Sequence, residues 1–168
     1  MAEQVAVSHD VTELIKRIKD IKIAMLTTAE QDGTLHSRPM YTQEPQNDGT
    51  LWFYTEKDSA KIFEVKKDQH VSLNYSKPED NLYVAVSGTA TVTTNSELIK
   101  KYWSEGLRAW FPNGPEDPNI ALLRIDIVRG EYWDQPSNVL VRAFGYAKAV
   151  ITGERYQPTG DEHTQVKP

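Results

Sequence analysis

The chain contains no cysteine, which excludes disulfides, thiolate metal centres and thiol nucleophiles together and fits a reducing compartment, so a cytoplasmic location is expected. No apolar run reaches the ~18 residues that a membrane-spanning helix needs. Met1 to Lys19 also lacks the continuous apolar stretch of a signal peptide. Positive charge is in short supply: 19 Lys and Arg stand against 24 Asp and Glu, for a net charge of −5. No overall field draws in a phosphate backbone, and neither nucleic acid nor membrane is expected as a partner. The four histidines, His9, His36, His70 and His163, are scattered without an HxH or HExxH spacing, so no metal centre is expected. A G-x-G-x-x-G loop is missing too, which leaves nothing to hold a dinucleotide tightly.

What remains is an ordinary globular composition, 39% hydrophobic and 26% charged over 168 residues, within the size of one domain with its own core. The spacing of Val11, Leu14, Ile15 and Ile18 predicts a short amphipathic helix, with Asp10 as its cap and Glu13 three residues on. Strand-like segments follow at 23–28, 35–42 and 51–55, separated by Gln31-Asp32-Gly33 and Asn47-Asp48-Gly49 turns, and read as a three-stranded meander. A helix within 57–67 should cross to a fourth strand at 71–75. The long alternating run 82–93 predicts a fifth strand bent at Gly88. Asn95 caps a helix through Trp103, and a loop rich in Pro and Gly leads to a sixth strand at 120–133. Residues 139–151 have helical composition. The simplest packing is a mainly β, α+β fold: a six-stranded antiparallel barrel with peripheral helices, occupying residues 1–152, with 153–168 as a polar, flexible tail.

Two of these strands carry phosphate chemistry. The second reads His36-Ser37-Arg38-Pro39-Met40-Tyr41-Thr42, and the third leaves through Phe53-Tyr54-Thr55-Glu56-Lys57-Asp58-Ser59-Ala60-Lys61. Arg offers a planar fork, Lys a compact charge, and Thr and Ser hydroxyl donors at the start of a helix whose free N–H groups also favour an anion. Together they can hold one terminal phosphate. Thr55 and Ser59 read equally as a helix cap and first-turn residue, and the two roles are compatible. Paired carboxylates such as Glu79-Asp80 and Glu116-Asp117 sit in polar loops and are assigned no chemistry.

The Arg38-Pro39-Met40 strand and the Thr55-x-x-x-Ser59-x-Lys61 spacing resemble the flavin-binding split-barrel superfamily of the pyridoxamine 5′-phosphate oxidases. One departure is Ala60, which stands where those oxidases carry a second basic residue before the lysine. The loop Trp110-Phe111-Pro112-Asn113-Gly114-Pro115, with Asp117-Pro118-Asn119 and Glu131-Tyr132-Trp133-Asp134, brings the chain closest to the general stress protein branch. The resemblance implies a split β-barrel that binds FMN, with FAD as an alternative, in a homodimer whose flavin lies at the subunit interface. Pro39 and Met40 would present backbone to the ring's polar edge, Tyr54 would belong to the same site, and Trp110 or Trp133 would come from the partner subunit. It implies a flavin-dependent oxidoreductase taking electrons from a small-molecule donor, or else a non-catalytic flavin reservoir or stress sensor. Pyridoxamine phosphate oxidation is not expected, because no C-terminal Arg and His substrate motif follows Trp133. Were haem held instead, His36 is the candidate axial ligand.

Overall fold

A computed structural model describes residues 9–134, 147–153 and 163–167. Its elements run α1 (His9–Ile21), β1 (Ile23–Ala29), β2 (Leu35–Tyr41), β3 (Thr50–Glu56), α2 (Ala60–Lys67), β4 (His70–Lys77), β5 (Leu82–Thr93), α3 (Ser96–Tyr102), β6 (Ile120–Asp134) and β7 (His163–Val166). The strands form one antiparallel sheet in the order β2-β1-β4-β5-β6-β3, with β7 added beside β6. The sheet curls until its edge strands approach each other. Just beyond β2, the Gln43 N–H donates to the Trp52 carbonyl of β3 at 2.9 Å, and this contact joins the two sides of the split.

Curvature comes from β5 and β6. Their register shifts between Ser87 and Gly88, and a Cβ on Gly88 would lie 2.6 Å from the Asp126 carbonyl oxygen. The bend predicted at Gly88 is therefore a bulge that only glycine fits without a backbone shift. At the barrel's end, α1 buries Val11, Leu14, Ile15 and Ile18 against the main core, the stripe that its sequence spacing predicts. Leu14 packs so closely on β6 that a Cβ on Gly130 would sit 2.3 Å from its Cδ2.

β3 is buried on both faces. Leu51 and Phe53 point into the main core, while Trp52 and Tyr54 join a second apolar cluster with Ile99 of α3, Leu107, Phe111 and the start of β6. This explains why Leu51-Trp52-Phe53-Tyr54 shows no polar alternation. Outside the strand, Asn95 caps α3, its side-chain oxygen accepting the N–H groups of Glu97 and Leu98 at 3.0 Å each.

Four expectations are corrected. β3 does not continue a meander: it pairs with β6, from Thr50↔Asp126 to Glu56↔Ile120, because closing the barrel matters more than the short connection to β2. α1 starts at His9, so Asp10 lies inside the helix instead of capping it. The sheet has a seventh strand, since His163–Val166 pairs with β6. That strand also ends the reading of 153–168 as a flexible tail over those four residues, with Val166 fully buried in the main core. Of the helix expected at 139–151, residues 147–152 are helical and 135–146 lie outside the described residues.

Candidate functional site

The turn from β3 into α2 builds the first part of the site. Ser59 is the N-cap of α2, yet its side chain makes no capping bond. Its hydroxyl instead lies 3.0 Å from Thr55 Oγ1, and Lys61 Nζ donates to the same Thr55 oxygen at 3.0 Å. The Thr-x-x-x-Ser-x-Lys spacing thus converges on one point. Among the described residues, the Lys61 ammonium has this hydroxyl as its hydrogen-bond partner and no carboxylate in ion-pair contact. Burial, and then the nearby Arg38 charge, hold its pKa below the ordinary lysine range, against weaker opposition from Glu56 and Glu64. A desolvated cation beside two hydroxyls is a place where an anion gains from Coulomb attraction and hydrogen bonds together.

From this corner a cleft of about 600 Å³ runs along β2, lined by Pro39, Met40 and Tyr41 on one side and by Leu107, Trp110 and Phe111 on the other. Its volume is that of a typical small-molecule site. Among the described residues β2 pairs only with β1 and so keeps one backbone edge free, where Pro39, lacking an N–H, is tolerated. Tyr54 forms the floor. Its hydroxyl donates to the Ile99 carbonyl at 2.5 Å, and its ring meets Trp103 edge-on with centroids 6.0 Å apart. Burial raises the Tyr54 phenol far above its usual pKa, so it remains neutral.

Of the residues expected at the site, Pro39, Met40, Tyr54, Thr55, Ser59, Lys61 and Trp110 all line this cleft. Trp110, 71% exposed, stands at the mouth of the cleft in its own chain. Arg38 does not line the cleft. Its guanidinium donates to Glu64 Oε2 at 2.7 Å and to the Thr28 hydroxyl, and lies 2.8 Å from His36 Nδ1. Trp133 lies opposite Tyr83, and from Leu122, the partner of Tyr54, β6 runs on the order of 35 Å to reach it at ~3.3 Å per residue. It belongs to no part of its own chain's cleft.

Sequence reasoning did not single out Gln43, Ser104 or Leu107, which also line the cleft. Gln43 carries no motif, and only the closure of the barrel brings it to the site. It also missed that Glu30, His36 and Glu64 place ligand-type atoms within 4.8 Å of one another. Arg38 is the cation that touches two of them, His36 and Glu64. A guanidinium can only donate, so His36 Nδ1 is the acceptor there.

An antiparallel sheet curled into a split barrel, with a hydroxyl-and-lysine corner feeding an aromatic cleft between its edge strands, defines the split-barrel class. Within that class the chain belongs to the family described as Pyridoxamine 5′-phosphate oxidase like, whose model matches residues 9–157. It is similar to a candidate general stress protein 26 from Jannaschia sp. CCS1, at 28% identity and a TM-score of 0.70, with 95% of this chain and 98% of that one covered. It is similar also to the general stress FMN/FAD binding protein of Xanthomonas citri, at 30% identity and a TM-score of 0.65, covering 74% and 88% of the two chains. Protein bli-3 of Neurospora crassa is 29% identical over 161 residues, 90% of this chain and 77% of that one.

Proposed function

We propose that the cleft binds FMN and that the protein is a flavin-dependent oxidoreductase of the general stress type, acting on a small molecule. The observation that carries this reading is Lys61: a half-buried ammonium beside the Thr55 and Ser59 hydroxyls, with no carboxylate partner among the described residues, at the end of an aromatic cleft. These groups fit a terminal phosphate. Thr55, Ser59 and Lys61 would hold it, and Arg38 would join them by exchanging Glu64 for a phosphate oxygen. Pro39 to Tyr41 would offer backbone to the polar edge of a flat ring, and Trp110 and Phe111 would cover its apolar part at little entropic cost. FAD, which shares the ring and first phosphate, is the alternative ligand.

Redox chemistry is supplied by the flavin, and the protein contributes binding, orientation and exclusion of water. Glu56, Lys61 and the tyrosines are the ionisable residues of the cleft, so the protein supplies little acid–base machinery of its own. That scarcity also favours a second reading, a flavin reservoir or stress sensor without turnover.

The proposed assembly is a twofold homodimer. Its support is an exposed apolar face on β1 and β2, where Ile23 and Met25 stand out of the sheet beside Tyr41 and Pro39. Tyr41 and Pro39 also line the cleft, so a second copy seated on this face would border the flavin, with Trp133 of the partner subunit as the ring to test.

Titration of cofactor-stripped protein with FMN, and in parallel with FAD, is the test. Saturation at one flavin per chain supports the reading, and no binding of either overturns it. Anaerobic reduction of the bound flavin by a nicotinamide, followed by transfer to an acceptor other than oxygen, separates the oxidoreductase from the reservoir.

A further inference from the structure

A second cleft of about 440 Å³ adjoins the first and shares Tyr41, Gln43 and Ser104 with it. Neither Thr55, Ser59 nor Lys61 lines it, so it opens away from the phosphate corner. Lys19, Lys22 and Lys101 all do. Glu44 is the one acid among its lining residues, and Lys19 pairs with it at 3.2 Å. In a chain with a net charge of −5, three lysines against one carboxylate make this a local reversal of sign.

Lys22 is held there at a conformational cost. It joins α1 to β1 with a φ of 65°, its N–H donating to the Ile18 carbonyl at 3.1 Å and its own carbonyl accepting the Thr42 N–H at 2.8 Å. This is the left-handed position after a helix that glycine occupies without strain and residues with a Cβ occupy rarely. Its ammonium has no ion-pair partner among the described residues. Lys101 rises from α3 with its Nζ 5.0 Å over the Tyr102 ring.

We infer that this lysine-flanked cleft is the subsite for the anionic group, phosphate or carboxylate, of the small molecule that meets the flavin. The inference rests on the flavin reading, because it is the shared wall of Tyr41 and Gln43 that brings an anion held by Lys22 and Lys101 alongside the ring cleft. Solvent-exposed lysines favour small anions of at least two charges, and their attraction falls with salt.

The test is calorimetric titration of the FMN-saturated protein with pyrophosphate and, separately, with succinate, at low ionic strength. One site per chain is expected, weakened by about tenfold or more in the Lys22→Gln, Lys101→Gln double variant, whose fold is checked by its unchanged melting and FMN affinity. The preferred probe distinguishes a phosphorylated from a carboxylated substrate. Absence of binding by both anions, or equal affinity in the double variant, overturns the inference. If FMN does not bind, the flavin reading fails, and the same titrations on flavin-free Lys61→Gln protein decide the subsite alone. Binding that disappears when Lys22 and Lys101 are also replaced upholds it, and binding that is absent or persists overturns it.

Discussion

Lys61 and Arg38 are the two cations that the sequence assigns to one phosphate, and the fold treats them in opposite ways. Lys61 is desolvated and left with a hydroxyl. Arg38 is fully engaged by Glu64, Thr28 and His36. Local spacing decides what a residue can reach within a turn, and so it foretold the Lys61 corner. It is silent about a carboxylate on another element, and so it gave no hint that Glu64 of α2 would claim the arginine of β2. A cation with no carboxylate partner among the described residues is poised for ligand, whereas a paired one must first give up its carboxylate.

The largest effect that sharpens this contrast is on flavin affinity. Lys61→Ala is expected to weaken FMN binding by ~1.5–3 kcal/mol, the range for hydrogen bonds to charged groups, measured by flavin fluorescence titration; wild-type affinity would remove Lys61 from the site. The next is on folding. Arg38→Ala strands the half-buried Glu64 carboxylate and should lower stability in urea by ~1–3 kcal/mol, while Lys61→Ala, which removes a desolvated cation, should leave stability unchanged or raised. Equal losses in both variants would erase the distinction between the two cations.

Acid and alkaline unfolding give a third comparison. Burial pushes the Glu64 carboxyl up, but the Thr28 and Arg38 hydrogen bonds and the charge of Arg38 outweigh it, leaving a pKa below 4.5. Its folded pKa is depressed, so its stabilisation is present above the unfolded value and disappears as pH falls through the folded one. In Arg38→Ala this loss should begin at higher pH. Lys61 also has a depressed folded pKa, but as a cation it has the opposite consequence at neutral pH, where burying its charge costs stability; between the folded and unfolded values the unfolded chain binds more protons, and stability climbs as pH rises toward the unfolded 10.5. Lys61→Ala should flatten that climb. The smallest effect concerns Glu64→Gln, which frees Arg38 for ligand and should tighten FMN binding by a few-fold, on the order of 1 kcal/mol or less. Weaker binding in that variant would mean that Glu64 positions Arg38 for the phosphate and does not compete for it.

Much of the architecture could be read from periodicity. The stripe of α1, the Gly88 bulge and the Asn95 cap depend on neighbours a few residues apart, and each was visible. The partner of β3 was not, because the Asn47-Asp48-Gly49 turn suits a hairpin equally well whether or not the strands it joins end up paired. β7 escaped for a different reason: four residues with a single apolar anchor, Val166, are too short to show alternation. At the site, the Thr55, Ser59 and Lys61 spacing was legible because it closes within one turn. Gln43, Leu107 and the charge network around Arg38 depend on the closed barrel.

The contact between α1 and β7 has a consequence for how the protein is made. The helix that seals the barrel leaves the ribosome well before Val166, which is buried in the same core. Every other described element lies between them in sequence, and contacts of such long sequence separation close slowly. Until β7 arrives, the nascent barrel keeps one wall of its core open to solvent, and ribosome-bound chains halted before residue 163 should recruit chaperones that the released protein no longer needs.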